Sequence, residues 1–249
     1  MICSLMIGRA GSTGFPGKNV YPVLGRPLCA YPLMAASDSS YVSRLYVSTD
    51  CPKIASISSQ YGAKIIDRPT ELATKESLGE DVFAHGYREI KRLQEAENND
   101  IELIVLLFAN AATITSALID QGVELLRKDT SIDSAVTTSV YNMWSPLRAR
   151  RIGSDNCLEP FIPIDVFGDP KTLNCDRDSQ GEVHFADMSV SVVRPHCLEQ
   201  LENGLLPQKW MGRKIAPILS WGGCDIDYEW QVPMVKFWLM EHGILPASN

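Results

Sequence analysis

The chain has 249 residues, with 23 Lys and Arg against 30 Asp and Glu, and 45% of it is hydrophobic. This is a globular composition, not a disordered one. A formal charge of -7 argues against a polymeric nucleic acid partner, which would call for a basic face.

The first apolar run, 2–7, reads as a buried strand, and 27–37 as a short helix. A second strand is expected over 44–48. Asp50 then stands where a helix N-cap would, with Pro52 in the first turn, where a missing N–H costs little. That helix should stop at Gly62. A third strand over 64–67 closes at Pro69. Apolar Val82, Ala84, Tyr87, Ile90 and Leu93 recur near helical spacing, so 78–97 reads as the longest helix. The run 103–108 is continuously apolar, as in a parallel strand buried on both faces. It is far too short to cross a membrane. Helix 116–128 and strand 134–140 follow. This β-α-β-α rhythm predicts an α/β fold: a mostly parallel sheet flanked by helices.

The rhythm breaks at 141. Residues 141–186 are rich in Pro, Gly, Asp, Asn and Arg, and read as an excursion with its own hairpin strands, serving a lid or a subunit contact. A returning strand is expected over 188–193 and a final helix over 228–241, ended by Gly243, with Trp230 and Trp238 in the core. The whole chain, 1–249, reads as one domain with this insertion. From its first residues no secretory leader is expected. The seven Cys residues (3, 29, 51, 157, 175, 197, 224) are scattered, without a C-x-x-C pair, and are expected to be free thiols in a reducing cytoplasm.

The segment GRAGSTGFPGKN, residues 8–19, follows the first strand. Gly8, Gly11, Gly14 and Gly17 would let the backbone turn tightly and bring N–H groups to a ligand. Arg9 and Lys18 add two cations. In an open α/β sheet such a loop lies at the carboxyl ends of the strands, where ligands bind. A phosphate-bearing ligand is the functional reading; a plain surface turn is the other. The spacing is not that of a Walker A loop, since Ser12 stands where its first Gly would be and Asn19 replaces its Ser or Thr. Nor is it the dinucleotide fingerprint, whose glycines are two apart. Ser12, in AGSTG, narrowly misses the pattern of a nucleophile elbow.

Near the end, CDIDYEW (224–230) sets Asp225 and Asp227 two apart. On a strand end both would point to one face, a pair that suits a magnesium ion. Alternatively they form an acidic first turn for the last helix. None of His85, His184, His196 and His242 sits in a metal-ligand pattern. His184, near Asp187, could serve as an acid or base. Arg148, Arg150 and Arg151 form a basic cluster in the excursion, which a solvated turn would also explain.

The string MIGRAGSTGFPGKN with VLGRPLCAYPL resembles the signature of CMP-sialic acid synthetases and related CMP-sugar cytidylyltransferases. YVSTDCPKIASISSQYGAKIIDRP, ELATKESLGEDVFAHG, LIVLLFANAATIT and CDIDYEW are similar to further family segments in the same order, so the resemblance spans nearly the whole chain. It implies a Rossmann-like nucleotidyltransferase (GT-A-like) fold, Mg2+ dependence, and a homodimer built through the 141–186 excursion. It implies a reaction of CTP with a 2-keto-3-deoxy sugar acid to give CMP-sugar and pyrophosphate. By position, Arg9 and Lys18 would bind the triphosphate in the loop of Gly8, Gly11, Ser12 and Gly14. Asn19 would take the ribose or phosphate, and Arg68 and Ser77 would flank cytosine. Asp225 and Asp227 would hold Mg2+. Arg148 would reach the neighbouring subunit's sugar site. The catalytic set is then Arg9, Lys18 and Asp227.

Two departures touch the sugar side. Thr13 replaces a family Lys, and FANAA (108–112) replaces the family turn Q-P-T-S-P. Phe108 stands where a Gln would touch the sugar acid, with Asn110 as a substitute. These changes weaken a claim for N-acetylneuraminate itself; a related acid such as legionaminate or pseudaminate, or a less familiar one, fits equally. A nucleotidyltransferase for another sugar or alcohol phosphate and a non-catalytic CTP-binding homologue remain open, with a Ser12 hydrolase third.

Overall fold

A computed structural model describes residues 1–174, 176 and 181–247. In chain order, β1 (Ile2–Ile7) leads to a small hairpin, β2 (Pro22–Val23) and β3 (Arg26–Pro27), and then to α1 (Ala30–Ser37). Next come β4 (Val42–Thr49), α2 (Pro52–Gln60), β5 (Lys64–Asp67) and α3 (Gly79–Glu95). After these come β6 (Leu103–Phe108), α4 (Ser116–Lys128) and β7 (Ser134–Val140). The excursion holds the hairpin β8 (Arg150–Ile152) and β9 (Leu158–Pro160). The chain returns in β10 (His184–Val193), α5 (Pro195–Glu199), β11 (Ile215–Leu219) and α6 (Val232–Glu241).

The described residues form a seven-stranded sheet in the order β11-β7-β10-β6-β1-β4-β5. Every neighbouring pair is parallel except the two made by β10, which runs antiparallel to both β6 and β7. β1 lies between β4 and β6 and is buried along its whole length. Alternation sends Ile2 and Met6 of β1, with Leu103, Val105 and Leu107 of β6, to one face, where Tyr31, Leu33, Val123 and Trp238 pack. Cys3, Leu5, Ile104 and Leu106 face the other way, onto Phe83, Tyr87, Ile90 and Trp210. Each strand thus feeds two cores, which explains why β6 is apolar throughout and β1 everywhere but Ser4. α3 carries Glu80 and Asp81 in its first turn, where the helix dipole favours them. Thr115 caps α4 by accepting from the Leu118 N–H at 3.4 Å.

Several expectations need correction. Pro27 is not helical; it pairs with Pro22 in the hairpin, and α1 starts three residues later. Cys51, not Asp50, is the N-cap residue of α2. The final helix begins at Val232, after a 3-10 turn at Glu229–Gln231. Trp238 is core, as expected, but Trp230 is 65% exposed. His184 and Asp187 do not pair: His184 faces Glu182 at 3.4 Å, while Asp187 is buried and accepts from Ser139 Oγ at 2.8 Å. Asp187 sits in a bulge of β10, where the register slips and Met188 takes φ +65°. The excursion does contain a hairpin of its own, β8–β9. Six of the seven cysteines are free thiols, while Cys175 lies outside the described residues.

Candidate active site

The carboxyl ends of β1 and β6 open into a cavity of about 450 Å3, lined by Arg9, Ser12, Lys18, Asn19, Arg68, Ser77, Phe108, Asn110 and Asp227 among others. Gly8, Gly11 and Gly14 line it too. These glycines serve different ends. A Cβ on Gly8 would lie 2.6 Å from Ala109 Cβ, so the loop leaves β1 tight against the end of β6. A Cβ on Gly14 would lie 2.8 Å from the Asp227 carbonyl oxygen, so the loop also touches the late acidic segment. Gly17 adopts φ +76°, the left-handed geometry that starts the 3-10 turn Lys18–Val20.

The loop is pinned from both sides. The Ala10 N–H donates to Asp50 Oδ1 at 2.9 Å, the partner that takes Asp50 away from capping. Asn19 is buried, and its side-chain amide donates to the Arg9 carbonyl at 3.1 Å. Lys18 Nζ reaches Asp227 Oδ1 at 2.5 Å across 209 residues of sequence.

Asp225 and Asp227 lie in neither a strand nor a helix. Ile226 between them is fully buried, while Asp227 is exposed. Burial, and next the Asp227 charge, push the Asp225 carboxyl above the usual carboxylate range; Lys18 and Asn110 act in the opposite direction. The carboxylates do not cap the last helix. Gln231 instead boxes the 3-10 turn that precedes it, its Oε1 accepting from the Asp227 and Tyr228 N–H groups at 2.7 and 2.8 Å. Two neighbouring carboxylates, one of them paired with the Lys18 ammonium, form a hard-oxygen donor set. This suits a divalent cation such as Mg2+.

Arg68 follows β5, and its Nη2 donates to the Ser48 carbonyl at 2.6 Å. Burial lowers its pKa to about 10, so it stays charged at neutral pH. Ser77 Oγ donates to the Glu71 carbonyl at 2.9 Å and lies 3.0 Å from Thr74 Oγ1, which ties the segment before α3 into a turn. Phe108 packs edge-on to Phe83, with ring centroids 5.2 Å apart, and near Trp210 at 6.0 Å. With Ile7 and Val82 it makes one wall of the cavity apolar. Asn110 lines the cavity, but its amide nitrogen is bonded to Asp225 Oδ2 at 3.2 Å and the Ile226 carbonyl at 3.1 Å.

Arg148 is not brought to this cavity within the chain. It ends the 3-10 turn Pro146–Arg148 and lines a separate groove of the excursion with Leu147, Arg150 and Ile164. Asp50, Thr74 and Tyr228 belong to the site region and escape sequence reading. Only Tyr228 carried a signal, its place next to Asp227. One further group of possible ligands occurs among the described residues: Asp133, His196 and Cys197, whose ligand atoms lie within 4.8 Å of one another. Asp133 Oδ2 already accepts from the Arg213 and Lys214 N–H groups at 2.8 and 2.9 Å, and its Oδ1 contacts His196 at 3.1 Å. Burial pushes the Cys197 thiol up to about 12. The group is a pin between β7 and β11 rather than a metal centre.

This sheet order, with its crossover helices, is that of a nucleotidyltransferase-like α/β fold. A solved structure of CMP:2-keto-3-deoxy-manno-octonic acid synthetase complexed with CTP superposes with a TM-score of 0.65. It covers 97% of this chain and 99% of that one at 13% identity, a likeness of fold. A family model for cytidylyltransferases matches residues 5–146, more than half of the chain. The chain belongs to the cytidylyltransferase family, as its sequence resemblance indicated. The N-acylneuraminate cytidylyltransferase of Oncorhynchus mykiss is 25% identical over 233 residues, covering 93% of this chain and 49% of the relative. The CMP-N,N'-diacetyllegionaminic acid synthase of Legionella pneumophila subsp. pneumophila is 42% identical over 64 residues, 26% of this chain and 28% of the relative. The chain therefore spans about half the length of the first relative and less of the second.

Proposed function

We propose that this chain joins CTP to a 2-keto-3-deoxy sugar acid of the sialic acid-like class, giving a CMP-sugar and pyrophosphate, with Mg2+ as cofactor. The observation that carries this reading is the single cavity at the end of β1, where Arg9, Lys18 and Arg68 converge with Asp227, and Asp225 stands beside it.

The anomeric hydroxyl oxygen of the acid attacks the α-phosphorus of CTP; the bond from that phosphorus to the bridging oxygen breaks, and pyrophosphate leaves. Such a displacement needs positioning and charge neutralisation more than covalent help. Asp225 and Asp227 would hold Mg2+, which when bound polarises the α-phosphate and makes the hydroxyl more acidic. Arg9, Lys18 and the N–H groups of Gly8, Gly11, Ser12 and Gly14 would neutralise the departing pyrophosphate. Asn19 would contact the ribose or a phosphate, and Arg68 and Ser77 the cytosine. Lys18 would exchange Asp227 for a phosphate oxygen as the site fills.

The apolar wall at Phe108 supports an acceptor other than N-acetylneuraminate, in the range of legionaminate or pseudaminate. We further assign a homodimer through the 141–186 excursion, with Arg148 serving the neighbouring site. Exposed Ile152, Leu158, Phe161 and Val166 on the excursion support it. The free thiols fit a cytoplasmic setting.

The test is pyrophosphate release from CTP with Mg2+ across a panel of 2-keto-3-deoxy sugar acids, with ATP, GTP and UTP as controls. Release with CTP and one acid is the expected result. Silence across the panel with CTP still bound would overturn the proposed acceptor class.

A further inference from the structure

We propose that Asn110 is the positioning residue of the Asp225–Asp227 pair: its side-chain amide grips the Asp225 carboxylate and the Ile226 carbonyl, and so sets the spacing of the two carboxylates for a divalent cation. This rests on the reading that the pair holds that cation, and it gives Asn110 a different task from touching the acceptor.

Asn110 is itself firmly placed. It follows β6, and the residues around it are fixed by the Ala109 N–H on the Ile7 carbonyl at 3.0 Å and the Ala111 N–H on the Phe108 carbonyl at 3.1 Å. From there it makes a three-bond clamp on a segment 115 residues away. The Ile226 N–H donates to the Asn110 carbonyl at 2.9 Å. The side-chain amide donates to the Ile226 carbonyl at 3.1 Å and to Asp225 Oδ2 at 3.2 Å. Two turns of chain are stitched together here, because Thr113 Oγ1 also accepts from the Cys224 N–H at 3.0 Å.

The chemistry of the donor matters. Lys18 also steadies this pair, but it brings a positive charge onto Asp227 that a metal must displace. The Asn110 amide is neutral. It can hold one oxygen of Asp225 while leaving the negative charge of the pair available to a cation. Groups that orient a metal ligand without touching the metal typically change metal affinity by about 10–100-fold when removed.

The experiment is a Mn2+ titration of the nucleotide-free protein, read from the electron paramagnetic resonance of the free ion, for the parent, Asn110→Ala, Asn110→Leu and Asp225→Asn. Leu keeps the branched shape of Asn without its donors, so it serves if the smaller side chain compromises folding. Both Asn110 variants should bind Mn2+ at least about 10-fold more weakly. Adding either substitution to Asp225→Asn should cost nothing further, because the clamped carboxylate is already gone. In turnover, the Mg2+ activation curve should shift to higher concentration, kcat at limiting Mg2+ should fall, and KM for the sugar acid should hold. Unchanged Mn2+ affinity with a raised KM for the acid would overturn the inference and return Asn110 to the acceptor. A parent that binds no Mn2+ would remove the metal reading itself, and this inference with it.

Discussion

Replacing Lys18 by Met keeps the aliphatic stem and removes the ammonium from Asp227. The Lys18 side chain is only 13% exposed, but its partner is 56% exposed, so water screens the pair. An ion pair of that kind is worth about 0.2–1 kcal/mol. In a chain of this size each kcal/mol moves Tm by about 2–4 °C, so the melting point should fall by no more than about 4 °C. Activity should respond on another scale. Loss of a main electrostatic contact to a developing charge lowers turnover by about 100–1000-fold. Mn2+ affinity without nucleotide should rise, because Nζ no longer competes for Asp227. Calorimetry, pyrophosphate release and Mn2+ titration on one preparation give all three readings. Turnover close to that of the parent would refute the assignment. So would a collapse in Tm, which would make Lys18 a structural strut whose loss of activity says nothing about chemistry.

Three more outcomes follow from the same geometry. Asp225 has a raised carboxyl pKa in the folded chain, so its contribution to stability is full below the unfolded value and is lost as pH rises through the folded one. Asp225→Asn should therefore raise Tm at pH 7 while weakening metal binding; a lower Tm would contradict the burial argument. Gly8→Ala drives a Cβ to 2.6 Å from Ala109 Cβ, where both backbones are held by the sheet. Overpacking of this kind costs about 1–3 kcal/mol, measurable by urea unfolding, and a neutral result would mean the loop has slack. Burial pushes the Cys3 thiol to about 11 and those of Cys29, Cys197 and Cys224 to about 12. Of the six described cysteines, only the half-buried Cys51 and the exposed Cys157 should react quickly with a thiol reagent in the native protein, as peptide mapping would show.

Much of the sheet can be read without coordinates. β1, β5, β6, β7 and α4 begin and end at the residues where the apolar pattern and the punctuating residues place them. A strand buried on both faces carries its own evidence, as β6 does with an apolar residue at every position and β1 with one at every position but Ser4. β11 did not, because it is a short edge strand whose residues alternate between buried and exposed and whose middle is Pro217. It exists because β7 offers a partner, with Ile215 aligned on Ser134. Nor could the antiparallel insertion of β10 between β6 and β7 be read from its own residues.

The site divides along the same line. The glycine-rich loop and the Asp225–Asp227 pair are legible because each is a compact string whose residue types already suggest anions and cations. What those residues touch is another matter. Asp50 looked like a helix cap and instead anchors the Ala10 N–H; Asn110 looked like an acceptor contact and clamps Asp225; Lys18 finds Asp227 across 209 residues. Local pattern reflects forces that act within a turn or a strand. Contacts between distant segments depend on the order in which strands stack, and the folded sheet alone sets that order.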